Sequence, residues 1–230
     1  MSATGRRVVL DRVRAALGRP RGPADGPERD VAASRVERPR ANTIPLRAQL
    51  QEPQLSALFE EMVRASQASF DRIDSLAELP AVVQRFSAAH ELAAAPILAP
   101  DSPLLAIDWG EPAPDVRPVA SGDALTVVGA AVGVAETGTL GVCSGPGSPV
   151  LSNFLPDNQV LVVSGDDLVG APEDAWARLR ERGPMPRTVN WITGPSRSGD
   201  IEMTMLMGAH GPVRLHVVLV QPETGGVQSG

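Results

Sequence analysis

The sequence contains no lysine, because all 21 of its basic residues are arginines. This excludes a Walker-type phosphate-binding lysine and a lysine that forms a Schiff base. Cys143 is the only cysteine, so the chain has no internal disulfide and cannot hold an iron–sulfur cluster by itself. The three histidines, His90, His210 and His216, have none of the spacings typical of metal sites, and we expect no metal.

Long hydrophobic runs are also absent. No stretch approaches the roughly 18 consecutive apolar residues of a membrane-spanning helix, so we expect no span. Arg6 and Arg7 follow the initial Met1, but no apolar signal-peptide region comes after them, which favours the cytoplasm. With 43% hydrophobic and 21% charged residues, the composition is typical of a globular protein.

The charge is unevenly distributed along the chain. Residues 1–47 hold 11 arginines and five acidic residues, whereas the whole chain has a formal net charge of −6. Residues 6–17 have the periodicity of a short amphipathic helix, and residues 19–47, rich in Pro and Arg, are predicted to be a linker or loosely ordered arm. Because the arm has no aromatic residues for stacking on bases, we do not expect nucleic-acid binding. The predicted organisation is this helix and arm over 1–47, followed by one domain over 48–230.

The rest of the chain alternates between helical and strand patterns. The start of the predicted helix 76–89 is open. Ser75 and Glu78 have the spacing of a capping box, whereas Pro80 favours a helix that starts near Pro80 itself. The predicted helices are 53–66, 76–89, 172–182 and about 198–207, and the predicted strands are 124–128, 160–163, 189–192 and 215–220. This alternation predicts an α/β fold with a mostly parallel sheet sandwiched by helices.

A first candidate site is Glu136, a carboxylate with apolar residues on both sides in the stretch VAETGTLGV. Thr137, Gly138 and Thr139 follow it and offer hydroxyl groups and a flexible backbone position. Glu136 is therefore a candidate general base, nucleophile or ligand anchor. The alternative is structural: Glu136 accepts backbone N–H bonds or pairs with an arginine such as Arg197.

A second candidate site is the loop of residues 193–200, between a predicted strand and a predicted helix. A helix N-terminus after such a loop presents free N–H groups to anions, and an arginine adds a cation suited to phosphate or carboxylate. The alternative is simple helix capping by Ser198, with Asp200 and Glu202 in the first turn. The candidate ligand-binding residues of this loop are Thr193, Gly194, Ser196, Arg197, Ser198 and Asp200. We expect Glu136 and the loop to open into one cavity.

Three separated motifs resemble the LUD (lactate utilisation) domain family: AETGTL, ITGPSRSGDIEMT and HGPVRLHVVLV. A fourth stretch near the N-terminus, RVRAALGR, is similar to the start of the lactate utilisation protein C branch of that family. The resemblance implies a fold like that of the NagB/RpiA/CoA transferase group. It also implies a role in oxidising L-lactate to pyruvate with two partner proteins, at least one of which carries iron–sulfur clusters. The chain would be the member without clusters, binding a small carboxylate or phosphate-bearing ligand; its cofactor is unknown.

Two other functions stay open. One is a free-standing enzyme acting on a sugar phosphate, CoA ester or folate-like substrate, with Glu136 as base or nucleophile. The other is a structural interaction protein with a vestigial site, which the intact Glu-Thr-Gly-Thr and Gly-Pro-Ser-Arg motifs make less attractive.

Overall fold

The computed structural model describes residues 3–18, 27–37, 43–198, 206–207 and 211–221 of the chain. It divides into two compact units, residues 1–43 and 44–230. The first unit contains helices α1 (Ala3–Ala16) and α2 (Pro27–Glu37). Arg47, the last residue of the predicted arm, lies in the second unit.

Helix α2 corrects the prediction of a linker throughout residues 19–47. Its sequence, PERDVAASRVE, begins with a proline in the first turn and continues with Ala, Arg and Glu, which favour helix. All of its side chains that the structure describes are exposed. A helix without an apolar stripe has no hydrophobic periodicity, so its sequence contains no pattern that separates it from a linker.

The second unit has three α-helices and twelve strands among its described residues. The helices are α3 (Gln54–Ala65), α4 (Leu79–Ala89) and α5 (Pro172–Glu181). The strands are β1 (Ser69–Ile73), β2 (Ile97–Leu98), β3 (Asp115–Val116), β4 (Leu125–Gly129), β5 (Val132–Val134), β6 (Thr139–Cys143), β7 (Asn158–Ser164), β8 (Leu168–Val169), β9 (Val189–Ile192), β10 (Arg197–Ser198), β11 (Leu206–Met207) and β12 (Arg214–Val220).

Six of these strands form a parallel sheet in the order β1-β12-β7-β4-β2-β3. The predicted α/β class with a mostly parallel sheet is confirmed. The structure adds a smaller sheet that the sequence patterns did not predict, in the order β8-β5-β6-β9. In it, β6 pairs antiparallel with both β5 and β9.

Both faces of the parallel sheet are covered, which explains why its central strands are continuously apolar. Val160 and Val162 of β7 pack in the cluster that contains α4. Leu161 and Val163 point to the opposite face, where α3 and the smaller sheet cover them. Helix α5 packs on the smaller sheet through Ala175 and Leu179, together with β5. The smaller sheet therefore lies between the parallel sheet and α5.

Candidate functional site

Glu136 lies in the turn between β5 and β6. Its backbone N–H donates to the Gly170 carbonyl at 3.1 Å. Its carboxylate Oε1 accepts from Arg47, at 3.2 Å from Nη2 and 3.4 Å from Nε. The Glu136 side chain is 13% exposed and that of Arg47 is 61% exposed. The carboxylate is thus held in an ion pair at the surface, as the structural alternative allowed, but with Arg47 in place of the suggested Arg197.

Gly138 has a conformational and a packing role in the same turn. Its φ is +64°, a left-handed conformation that glycine adopts most readily. A Cβ atom at this position would lie 2.5 Å from the backbone nitrogen of Val63 in α3. Because real Cβ atoms do not approach a backbone so closely, the glycine between the two threonines is what allows the turn to rest on α3.

A chain of three hydroxyl groups joins the two candidate segments. Thr137 Oγ1 and Thr139 Oγ1 are 2.7 Å apart, and Thr139 Oγ1 and Thr193 Oγ1 are also 2.7 Å apart. The pairing of β6 with β9 places Leu140 opposite Ile192 and so brings Thr139 beside Thr193. Strand register thus connects residues that are 54 positions apart in the sequence.

The loop after β9 rests on the C-terminal end of α3. Gly194 has φ of +72°, and a Cβ atom there would lie 2.3 Å from the Ser66 carbonyl oxygen. Arg197 Nη2 donates to the same oxygen at 2.7 Å. A cation at the carbonyl end of a helix is favourable, because the helix dipole is negative there. The Ser196 backbone N–H donates to the Pro212 carbonyl at 2.9 Å, which holds the loop beside the start of β12.

The helix predicted from about Ser198 to Met207 is wrong at the residues that the structure describes. Arg197 and Ser198 pair antiparallel with Met207 and Leu206. Cross-strand pairing therefore determines the conformation of these residues, and Ser198 is not a helix cap. Asp200 lies outside the described residues. The expected anion cradle therefore has no helix start at Ser198, and its residues 199–200 lie outside the described residues.

A cavity of about 530 Å³ opens beside this loop. It is lined by Ala65, Ser66, Asn153, Phe154, Gln159, Trp191, Ile192, Thr193, Gly194, Pro195, Ser196, Arg197, Gly211, Pro212 and Leu215. Four candidate residues, Thr193, Gly194, Ser196 and Arg197, are among them. Glu136, Thr137 and Thr139 are not among the lining residues. The expectation of one cavity shared by Glu136 and the loop is therefore corrected. The loop lines the cavity, and the Glu136 carboxylate does not.

The sequence patterns missed two buried amides in the cavity lining. Asn153 is 2% exposed and Gln159 is 0% exposed. Gln159 Nε2 donates to the Ser152 carbonyl at 3.1 Å and to Asn153 Oδ1 at 2.9 Å. A glutamine beside the apolar run 160–163 was a usable signal, since a buried polar side chain needs partners. Asn153 ends a short 3₁₀ helix, Val150–Asn153, and had no comparable signal.

The described residues contain neither a metal-binding cluster nor a membrane-spanning helix. In that part of the chain, no group of three or more His, Cys, Asp or Glu side chains could hold a metal ion. No described helix is long and apolar enough to cross a membrane. Burial raises the pKa of the Cys143 thiol, with Arg182 opposing it, so this thiol is not activated as a nucleophile.

Part of this chain is similar to a family model and to named relatives. Residues 115–220 match the family model of the LUD domain. Lactate utilization protein C of Geobacillus sp. (strain WCH70) is 35% identical over 91 residues, which are 38% of this chain and 38% of that protein. Lactate utilization protein C of Exiguobacterium sp. (strain ATCC BAA-1283 / AT1b) is 36% identical over 90 residues, 37% of this chain and 39% of that protein. The match thus spans less than two fifths of these relatives.

A solved structure shares the fold. The crystal structure of a DUF162 family protein from Deinococcus radiodurans has a TM-score of 0.56 and 22% sequence identity to this chain. The likeness covers 74% of this chain and 99% of that one. The family resemblance carried by the three sequence motifs is confirmed.

Proposed function

Because residues 115–220 match the family model of the LUD domain, we propose that this chain is a component of an L-lactate utilisation system. Its task there is to bind a small carboxylate- or phosphate-bearing ligand in the cavity beside the β9–β10 loop. The observation that carries the proposal is the match to relatives named lactate utilization protein C, at 35% and 36% identity. The matched domain contains most of the residues that line the cavity.

Arg197 is the group that supports anion binding in this cavity. Its guanidinium has five N–H donors, and its bond to the Ser66 carbonyl uses one of them. Thr193 and Ser196 add hydroxyl groups to the same lining. A planar cation with neighbouring hydroxyls is suited to a carboxylate or phosphate. The proposed ligand-binding set is therefore Thr193, Gly194, Ser196 and Arg197.

Partner proteins form the second part of the proposal. The resemblance to lactate utilisation proteins implies two partner proteins, at least one of which carries iron–sulfur clusters. A single cysteine cannot ligate such a cluster in this chain. Residues 1–47, with 11 arginines against five acidic residues, supply a basic segment suited to an acidic partner surface.

The test combines growth and binding. Deleting the gene should abolish growth on L-lactate, and the wild-type chain should restore growth and co-purify with iron–sulfur partners. Arg197→Gln should bind lactate, pyruvate or phosphate at least about tenfold more weakly in calorimetry, as expected for loss of a charge-assisted bond. Arg187→Gln is the matched control, because Arg187 is exposed and is not among the cavity-lining residues. Normal growth of the deletion strain on lactate, with no associated partner, would refute the proposal.

The same preparations test the alternative of a free-standing enzyme. Glu136 would be its base or nucleophile, yet its carboxylate pairs with Arg47 and it is not among the cavity-lining residues. Turnover of a sugar phosphate, CoA ester or folate-like substrate that disappears in Glu136→Gln would favour the enzyme. Equal activity of both proteins would remove Glu136 from that role.

A further inference from the structure

A second cavity, of about 420 Å³, lies at the opposite edge of the parallel sheet from the cavity beside the β9–β10 loop. The first cavity is lined by Gln159 and Leu215, the second residues of β7 and β12, and so lies at the amino ends of the strands. The second cavity is lined by Gly129, the last residue of β4, and by Asp101, which follows β2. It therefore lies at the carboxyl ends of the strands, the edge at which open α/β sheets bind their ligands.

The two strands beside this second cavity lead the chain to opposite faces of the sheet. Strands β2 and β4 pair in parallel. After β2, Leu104 and Trp109 pack in the cluster that contains α4, whereas after β4, Ala130 packs against the cluster that contains α3. A crevice opens where neighbouring parallel strands diverge in this way, and it is the usual ligand position in such sheets. Pro103 and Leu104 line the cavity from one connection, and Ala130 and Ala131 line it from the other.

The turn after β6 forms a third wall of this cavity. Gly145 and Ser148 exchange two backbone hydrogen bonds of 3.1 Å each, which close the turn. A Cβ atom on Gly147 would lie 2.3 Å from the Asp101 carbonyl oxygen, so glycine is what allows the turn to rest on the segment after β2. A Cβ atom on Gly145, in contrast, would have no neighbouring atom within 4 Å. The turn is thus packed in place at Gly147, and its backbone is open at Gly145.

Arg182 supplies a positive charge to the cavity. It follows the last turn of α5 and lines the cavity, and its side chain is 43% exposed. Its Nη2 pairs with the Asp167 carboxylate, but a guanidinium has five N–H donors and can bond a second acceptor. Burial raises the pKa of the Cys143 thiol in the same lining, and the positive charge of Arg182 opposes this effect. The charge of Arg182 therefore acts inside the cavity.

From this placement we infer that the crevice is a second ligand site, for a small molecule with an oxyanion head and an apolar body. The oxyanion, a phosphate or a carboxylate, would bond Arg182, whose planar fork suits both. The body would pack on Pro103, Ala130 and Ala131. The volume of about 420 Å³ is within the roughly 300–1,000 Å³ typical of sites for small molecules. Since the described lining residues of the two cavities do not overlap, this site is additional to the one in the proposed function.

The closing experiment uses Cys143 as a reporter in the cavity. It is the only cysteine of the chain and lines the cavity, so alkylation of the full chain by iodoacetamide reports on this place alone. Alkylation rates are measured by mass spectrometry at constant ionic strength, with phenyl phosphate, benzoate or inorganic phosphate as the probe. We expect phenyl phosphate or benzoate to halve the rate below about 1 mM, and inorganic phosphate to need about tenfold more, because it has no apolar body. The better of the two aromatic probes identifies the head as a phosphate or a carboxylate.

Two lining charges should change this protection in opposite directions, when each variant is compared with itself without probe. Arg182→Gln should raise the half-protecting concentration of the aromatic probe by about tenfold, because it removes the charge-assisted bond. Asp101→Asn should lower that concentration by about twofold or more, because it removes an exposed negative charge from the lining. Arg180→Gln is the matched control, since Arg180 is exposed on α5 and is not among the lining residues. Arg197→Gln should also leave the protection of Cys143 unchanged, because Arg197 lines only the first cavity.

Any of three results overturns the inference. The first is the absence of protection by both aromatic probes up to about 10 mM. The second is equal protection of the wild type and Arg182→Gln. The third is equal protection by inorganic phosphate and the aromatic probes, which would refute the apolar body. Growth on L-lactate tests the proposed function separately, because that measurement does not depend on the alkylation of Cys143.

Discussion

Replacing Gly138 by alanine tests whether the turn after Glu136 is held in place by close packing on α3. The first cost is conformational, because φ of +64° is strained for a residue with a Cβ atom, at about 1 kcal/mol. The second is steric, because the new Cβ would lie 2.5 Å from the Val63 nitrogen and 2.6 Å from the Met62 carbonyl carbon. Overpacking against such a backbone typically costs about 1–3 kcal/mol.

We therefore expect Gly138→Ala to lower the free energy of unfolding by about 2–4 kcal/mol, and the melting temperature by roughly 4–16 °C for a chain of this size. The measurement is urea unfolding with thermal melting as a second readout. Gly110→Ala is the matched control, since Gly110 has φ of +61° but a Cβ atom there would have no neighbouring atom within 4 Å. It should lose only the conformational part, about 1 kcal/mol. Equal losses in the two variants would refute the packing argument.

Three further predictions concern other contacts of the second unit. Burial lowers the pKa of His216 to about 4, against an opposing effect of Asp71. In the unfolded chain the imidazole takes up its proton near pH 6.5. The contribution of His216 to the free energy of unfolding should therefore be complete above pH 6.5 and fall by up to about 3 kcal/mol towards pH 4. Urea unfolding at pH 7 and pH 5 should show a smaller acid loss in His216→Gln than in the wild type, and an identical loss would contradict the assignment. Thr139→Val should lower the free energy of unfolding by about 1–2 kcal/mol, because it breaks both hydroxyl bonds of the threonine chain; Thr139→Ser should retain most of the stability in the same assay. Arg47→Ala should change stability by no more than about 1 kcal/mol in urea unfolding, because its side chain is 61% exposed; a larger loss would show that the pair with Glu136 is not a surface ion pair.

Much of the parallel sheet could be predicted from the sequence. Runs such as that of residues 160–163 are apolar at every position, which is typical of a strand covered on both faces. The start of α4 also followed local rules: a short 3₁₀ turn spans Leu76–Glu78 and the α-helix begins at Leu79, next to Pro80. The Glu78 carboxylate accepts from the backbone N–H groups of Asp74 and Ser75, as its spacing from Ser75 indicated.

The candidate site was less predictable, because its contacts join segments far apart in the chain. The segment of about 198–207 had the pattern of a helix, yet its described ends pair as strands. The partner of Glu136 is an arginine 89 positions earlier in the chain, and the amides of the cavity wall carried no motif. Neither the spacing of residues along the sequence nor its composition indicates how close such groups lie in the folded chain.

Local sequence alone determined the type of helices α3, α4 and α5 and of strands β4, β7 and β12. It also determined the resemblance to the LUD domain family and the residues available for chemistry, because helix and strand periodicity, capping and glycine placement act over a few neighbouring positions. Tertiary structure decided which of those residues meet. The register between β6 and β9 set Thr139 beside Thr193, and the packing of α3 placed the Ser66 carbonyl against Arg197. Such contacts depend on long-range pairing and on the closeness of whole elements, and these arise only when the core is assembled.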